Sequence, residues 1–330
     1  MAGPFSKKHV TNRYIFAKIG VSAISSIIVD GTVAVQYFLG VYIMSDYKII
    51  TDSGCDLPQQ MLSRLDVQTV PLIVNFRGNA LEDSVDEGIK DMYAGLRAGE
   101  AATTSAVNPD RWGQLMGSVL AEGKDVLAIT FSSGLSTTSQ SAFIAADELK
   151  EKYPDQKIIV VDSLAASLGQ GLLVWYACKK KEEGLSIEEL AAWVEKNRLH
   201  LCHWFTVDDL MYLKRGGRVS AATALVGTML QIKPVLHVDN EGHLINVAKT
   251  RGRKASIQAL AQKAIELGKD YDNGTMFICH GDCIEDAEFL ANLVKERCGV
   301  KEVFIGYTGA VIGSHSGPGT LALFFMGEHR

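Results

Sequence analysis

The sequence predicts an α/β protein: an N-terminal α/β domain built on a parallel sheet, followed by a C-terminal α+β domain. Three observations carry that class. Between Tyr47 and about residue 198, short apolar runs rich in Val and Ile alternate with stretches of helical spacing, as in a parallel sheet covered by helices on both faces. Beyond residue 200 the alternation stops, and Lys233–Val238, the turn Asp239–Gly242 and His243–Lys249 read as an antiparallel hairpin. The chain has 330 residues, 47% apolar and 22% charged, which gives each half enough side chains for a core.

Residues 1–43 are expected to be an extension outside the fold, with the domains at 44–198 and 199–330. Lys7, Lys8, Arg13 and Lys18 precede the largely apolar Ile19–Met44, a pattern that also fits a weak membrane anchor. Asp30 opposes the anchor, because an Asp near the centre of a span costs about 2.5–3.5 kcal/mol. Tyr47–Thr51 is then the first strand of the fold. It ends in Asp52-Ser-Gly-Cys-Asp-Leu-Pro58, where Asp56 and Gln59 have the spacing of a helix-capping box. Val67–Phe76 reads as the next strand. The polar stretch Arg77–Glu100 holds a helix around Ile89–Leu96, and Asn108-Pro109 opens another that runs to Gly123. Asp125–Phe131 is a short buried strand, followed by a run of hydroxyl side chains from Ser132 to Ser141. After Thr138 the spacing turns helical, with Phe143, Ala146 and Leu149 on one face. Lys157–Asp162 is the fourth strand, Ser163–Lys181 follows it, and Ser186-Ile-Glu-Glu189 is a capping box opening a further helix.

In the second half, helices Ala255–Leu267 and Glu285–Cys298, the latter capped by Asp282, flank the strand Thr275–Cys279, and Glu302–Tyr307 follows. Leu213–Ser220 reads as a basic, flexible turn and Ala221–Ile232 as an apolar helical stretch. Gly309–Phe325 reads as a Gly/Ser loop holding His315, followed by an apolar run.

The bulk numbers exclude some partners. A net charge of -5 gives no pull toward nucleic acid, and no stable membrane insertion is expected, at most a transient membrane contact. The six cysteines are scattered through a chain that needs no staples, which fits reduced thiols in a cytoplasmic protein.

In parallel sheets, ligands sit beyond the carboxyl ends of the strands. Asp52-Ser-Gly, Thr130–Thr138 and Asp162-Ser163 lie at such ends and are expected to converge on one crevice. The hydroxyl run opens a helix, whose free N–H groups and positive dipole end suit a carboxylate or phosphate. A serine that merely caps the helix is the plain alternative. Asp52 is expected to cap or brace the crevice, since no second acidic residue stands beside it for phosphoryl-aspartate chemistry. Cys279-His-Gly-Asp-Cys283 and His200-Leu-Cys-His203 lack a second ligand pair, so no metal is expected. No Walker loop or Gly-x-Gly-x-x-Gly follows a strand, and no cofactor is expected.

Seven motifs in order carry a resemblance: Asp52-Ser-Gly-Cys-Asp-Leu-Pro58, Thr103-Thr-Ser105, Ser132-Ser-Gly-Leu-Ser136, Val161-Asp-Ser163, Tyr212-Leu-Lys-Arg-Gly-Gly-Arg218, Lys233-Pro-Val235 and Ile312-Gly-Ser-His-Ser-Gly-Pro-Gly319. Together, over roughly residues 46–327, the chain resembles the DegV family of bacterial fatty-acid-binding proteins, which includes the lipid-carrying subunit of fatty acid kinase. The resemblance implies a carrier rather than an enzyme, with a buried long-chain fatty acid as ligand and the catalytic subunit of fatty acid kinase as partner. It implies that Thr104, Ser105, Ser136 and His315 hold the carboxylate, and that Arg251 or Arg253 contacts the kinase. The chain departs from the family pattern at Thr137, where glycine is common, and at Ala106-Val107, where Gln-Pro is common. Both departures bear on head-group geometry and on chain preference.

Three hydroxyls and an imidazole can satisfy a carboxylate without a buried lysine or arginine beside it. The tail is expected along Ala221–Ile232 and the apolar strand faces. Arg215, Arg218, Lys249, Arg251, Arg253 and Lys254 form a basic group suited to an acidic kinase surface or to the phosphate transferred. The rival readings are a carrier without a kinase and a serine hydrolase built from Ser136, His315 and Asp52 or Asp162. The hydrolase lacks the Gly-x-Ser-x-Gly elbow, since 134–138 is Gly-Leu-Ser-Thr-Thr.

Overall fold

The computed structural model describes residues 46–86, 88–220, 231–271 and 273–330 in full, and the strands at 24–29 and 32–37 by their backbone. Those two strands, β1 (Ile24–Val29) and β2 (Thr32–Tyr37), pair antiparallel in a sheet of their own, and Met1–Ser45 group separately from Asp46–Arg330. Among the described residues, no helix is long and apolar enough to cross a membrane.

The Val/Ile runs of the first half make a four-stranded parallel sheet. β3 (Tyr47–Asp52) leads through α1 (Gln59–Leu65) to β4 (Gln68–Val70), and the sheet order is β4-β3-β8-β9, with β8 at Asp125–Thr130 and β9 at Ile158–Asp162. All three pairings are parallel, with Ile49 opposite Leu127 and Ile129 opposite Val161. Every residue of β8 is buried, as expected of a central strand covered on both faces.

The expected strand Val67–Phe76 is broken in two. Pro71 offers no N–H to a ladder, and the chain beyond it leaves the parallel sheet for a small antiparallel one. That sheet has β5 (Ile73–Phe76) between β6 (Asn79–Glu82) and β7 (Ala102–Ser105), with Val74 opposite Thr104. Helix α2 (Ile89–Arg97) lies between β6 and β7 in sequence. It is followed by α3 (Pro109–Ala121), whose Asn108 cap accepts the Arg111 N–H at 2.9 Å. Buried Trp112 of α3 donates from Nε1 to the carbonyl of Thr138 at 3.1 Å, which fixes the start of α4 (Thr138–Lys152). The capping box at Ser186 and Glu189 forms as expected and opens α6 (Ile187–Asn197).

The second half is a mixed six-stranded sheet, β12-β11-β10-β15-β13-β14. Its strands are β10 (Leu201–Thr206), β11 (Ile232–Val238), β12 (Leu244–Arg251), β13 (Thr275–His280), β14 (Glu302–Tyr307) and β15 (Leu321–Met326). Helices α8 (Arg253–Gly268) and α9 (Ile284–Cys298) pack with this sheet in one apolar cluster. A second cluster joins both sheets through α5 (Leu168–Glu182), taking in Ile49, Leu127, Leu172, Phe205, Phe277 and Phe324. Nine residues of α5 are buried, which is the behaviour of a helix packed on more than one side.

Four local expectations are corrected. Asp56 does not cap α1, whose N-cap is Pro58 with no side-chain hydrogen bond; it is buried, and its carboxyl accepts from the Ser167 hydroxyl instead. Asp282 does not cap α9 either, because it is paired with Arg97. The supposed basic turn begins as α7 (Leu210–Arg215), and the supposed Gly/Ser loop contains α10 (Ala310–Ser316). The apolar stretch assigned to the tail lies outside the described residues at 221–230, and Ile232 opens β11.

Arg330 closes the fold. Only 6% exposed, it donates to the carbonyls of Leu164 (2.6 Å), Asp239 (2.9 Å), Arg198 (2.6 Å) and Leu201 (3.2 Å). Arg330→Ala strands these acceptors, so the urea midpoint should fall by an amount equivalent to roughly 3 kcal/mol or more. Arg330→Lys should recover only part, because an ammonium lacks the planar fork that reaches several carbonyls. An unchanged midpoint in the alanine variant would show that water replaces the guanidinium without cost.

Candidate functional site

The crevice starts at Asp52, the last residue of β3, which is fully buried. Its Oδ2 accepts the N–H of Phe131 at 2.8 Å and its Oδ1 accepts the N–H of Gly54 at 3.0 Å. Gln170 of α5 adds a longer contact at 3.3 Å. Asp52 therefore ties the carboxyl ends of β3 and β8 together and braces the crevice, as its place in the sequence suggested. Burial outweighs these hydrogen bonds and pushes its carboxyl up to about 7.

The hydroxyl run follows directly. Ser132 donates to the carbonyl of Gly242 in the β11–β12 turn at 2.9 Å, which pins this loop to the second half of the chain. The N–H groups of Leu135 and Ser136 both turn back to the carbonyl of Ser132. Ser136 Oγ then accepts the N–H of Thr138 at 3.2 Å and shares a hydrogen bond with Thr138 Oγ1 at 2.9 Å. Ser136 thus holds the first N–H of α4 from just before the N-cap, Thr137, and also lines the crevice. Helix α4 adds the positive end of a fifteen-residue dipole at the same place.

Thr104, on the small antiparallel sheet, meets His315, on α10, with 2.7 Å between Oγ1 and Nε2. The other ring nitrogen of His315 lies against Gly216, where a Cβ would overlap Nδ1. That requirement explains part of the Lys214-Arg-Gly-Gly-Arg218 motif. Gly217 takes φ 72°, and the turn brings Arg218 back over Leu135, whose carbonyl accepts from Nη2 at 3.0 Å and from Nε at 3.2 Å. Burial and the neighbouring Arg218 charge lower His315 to about 4, so the ring is neutral at physiological pH. Burial also lowers the Arg218 guanidinium.

Thr104, Ser136, Arg218 and His315 line one cavity of about 470 Å³. Thr104, Ser105, Ser136, Thr137, His315 and Arg218 supply its polar groups toward the hydroxyl loop, while Leu72, Phe131, Leu135, Phe205, Leu213 and Phe324 supply apolar wall. The volume falls in the usual range for small-molecule sites, and Ser167, His203, Thr308, Ser316 and Thr320 add further polar groups to its lining.

All four expected carboxylate-binding residues, Thr104, Ser105, Ser136 and His315, come together on this cavity. Arg218 was assigned by its sequence to a surface patch, and its presence here corrects the expectation of a cradle without an arginine. The signal was the Gly-Gly pair before it, which turns the chain back on itself. Ser136 and His315 do not form a nucleophile–base pair, since Ser136 bonds Thr138 and His315 bonds Thr104. Asp162 Oδ1 is likewise taken, by the N–H groups of Ser133 and Leu164. Of the two docking candidates, Arg251 is exposed at the end of β12, whereas Arg253 pairs with Asp286 at 2.8 Å and faces Asp208 at 3.7 Å.

The family model described as "Uncharacterised protein, DegV family" matches residues 46–328. A DegV domain-containing protein of Clostridium perfringens is 46% identical over 289 residues, covering 87% of this chain and 99% of its own. A solved structure of a DegV family protein from Thermus thermophilus, described for its fatty acid binding, is 33% identical with a TM-score of 0.76. It covers 86% of this chain and 99% of its own. The fatty acid kinase (Fak) B3 protein of Streptococcus pneumoniae, solved loaded with linoleic acid, is 25% identical with a TM-score of 0.74, covering 86% and 100%.

The imidazole gives a direct test of this geometry. In ligand-free protein, NMR of the His315 Cε1–H, assigned with His315→Asn, should show the ring neutral down to about pH 4. A midpoint near the ordinary 6.5 would mean that the ring is solvated and outside the crevice.

Proposed function

Because the chain belongs to the DegV family, we propose that it holds a long-chain fatty acid in the cavity and presents the carboxylate to a separate acyl kinase. The observation that carries this reading is the convergence of Thr104, Ser105, Ser136, His315 and Arg218 on one apolar cavity. A neutral His315 shares one hydrogen bond with Thr104, which leaves the Ser105 and Ser136 hydroxyls and the start of α4 for the carboxylate oxygens. Arg218 supplies a positive charge that partly balances the anion, at modest cost because its own N–H groups already rest on carbonyls. The fatty-acid ligands of the Thermus and Streptococcus relatives support the same class of ligand here. The kinase partner is supported by the Streptococcus relative.

The energy divides unevenly between head and tail. At ~0.8 kcal/mol per buried methylene, a tail of about fifteen carbons contributes on the order of 12 kcal/mol before ordering costs, against about 1 kcal/mol net for each neutral hydrogen bond. Retention is then the work of the apolar wall, and presentation is the work of the hydroxyls. Docking falls to Arg251, whose guanidinium is exposed, in preference to Arg253, which is held by Asp286 and Asp208.

Organic extraction of purified protein followed by lipid mass spectrometry should yield about one fatty acid per chain; protein that is empty and takes up no added fatty acid would end the reading. Ser136→Ala should keep its lipid, while acyl-phosphate formation per bound lipid falls about tenfold or more with a kinase subunit from the same cell. Lost lipid with a normal rate per bound lipid would reverse the roles of head and tail. Arg251→Glu should slow phosphorylation without changing lipid content, and an unchanged rate would remove Arg251 from the docking surface.

A further inference from the structure

Helix α10 has little means of forming on its own. Its seven residues include Val311, Ile312, Gly313 and two serines, and it starts at Gly309 with no side-chain cap from that residue. Isolated helices are marginal even at roughly 12–15 residues, and these are poor helix formers. The N–H groups of its first turn are held from far along the chain. Asp83 Oδ1 accepts the Val311 N–H at 2.9 Å across a separation of 228 residues. The Ala310 N–H turns to the same carboxyl, and Asp56 lies so close to Gly309 that a Cβ there would overlap its Oδ1.

Asp83 is itself held firmly. It is 7% exposed, its Oδ2 accepts the Ser53 hydroxyl at 2.7 Å, and Ser53 Oγ in turn accepts the Leu72 N–H at 3.0 Å. This one carboxylate therefore joins the turn after β3, the cavity-lining Leu72 and the start of α10. Near the other end of the same short helix is His315, bonded to Thr104. A helix this short moves as a unit, so releasing its first turn displaces its last.

We propose that Asp83 is a positioning residue of the head-group site, capping α10 from outside the helix and thereby fixing His315 against Thr104. The positioning stands on geometry alone; its consequence for phosphorylation rests on the fatty-acid reading. Asp83→Asn is the informative change, being nearly isosteric. Its remaining oxygen can still accept from Val311, but its NH2 donates where the carboxylate accepted, so the Ser53 link has to reverse and the Ser53 proton loses its acceptor. Ser53→Ala removes the same link from the other side without touching the carboxylate.

Both variants are compared with the wild-type full chain at pH 7 by NMR of labelled histidine side chains, alongside lipid content and kinase-dependent acyl-phosphate formation. The His315 imidazole signals should move in Asp83→Asn, and in the same direction but less in Ser53→Ala, while those of His200, which hydrogen-bonds Tyr271 and does not line the cavity, stay in place. Lipid content should remain within about twofold, while acyl-phosphate formation per bound lipid falls about tenfold. His315 signals that superimpose on wild type in both variants overturn the proposal, whatever the kinase assay reads. Moved His315 signals with an unchanged phosphorylation rate support the positioning and remove His315 from control of turnover, whereas a wild-type chain that yields no kinase-dependent acyl phosphate overturns the kinase-presentation reading instead.

Discussion

A buried carboxyl must be met by hydrogen-bonding partners from the protein, and Asp52 sets that requirement at the end of β3, behind the crevice. Satisfying it takes the Phe131 N–H at the end of β8, the Gly54 N–H in the turn after β3, and Gln170 from α5. Those bonds fix where the hydroxyl loop starts, because Ser132 is the next residue after Phe131. From there Ser132 reaches the β11–β12 turn through Gly242, so the crevice is closed by a contact between the two sheets. A single buried acid thus determines the position of Ser136 through covalent connection, and the packing of α5 between the sheets keeps water from relieving it.

The site separates binding from presentation by using two kinds of surface. Apolar side chains from the six-stranded sheet and from the loops and short helices around it form the wall and carry no directional demand. The polar end is directional throughout: Thr104 with His315, Ser136 with Thr138, and Arg218 with the Leu135 carbonyl. Thr104, His315, Ser136 and Arg218 already have protein partners, so this part of the head-group geometry is fixed before a ligand arrives. That pre-organisation lowers the ordering cost of holding a carboxylate in one orientation.

What the sequence made legible follows the range of the interaction that decides each element. The central strands, the Asn108 cap and the Ser186–Glu189 capping box depend on neighbours within a few residues, and all were readable. That Thr104, Ser136 and His315 share one cavity follows the order of the motifs, although spacing alone left a capping serine as the plain alternative. The failures are long-range. Strand β7 is four residues with two threonines, and β10 is buried throughout with no alternation to mark it. Asp56 and Asp282 have the spacing of local caps but find stronger partners in Ser167 and Arg97, more than a hundred residues away. Helix α10 was hidden because its first N–H groups are satisfied by acids far from it in sequence.

The buried acids and the buried histidine respond to pH in opposite senses, and the crevice contains both. Asp52 is raised to about 7 and Asp83 to about 6, each chiefly by burial, from an ordinary 3.8. Their titration favours the folded state fully below 3.8, and that contribution is lost as pH rises through 6 and 7. His315 is lowered to about 4 from 6.5, so its contribution is full above 6.5 and is lost as pH falls through 4. The two windows overlap between about pH 4 and 6.5, where acidification relieves the carboxylates while it begins to penalise the neutral imidazole. Near neutrality the imidazole is uncharged, Asp83 is mainly ionised and able to accept from both Val311 and Ser53, and Arg218 retains its charge. In that state the helix carrying His315 is held by an acceptor that donates nothing, and the cradle offers a carboxylate one positive charge set among neutral donors.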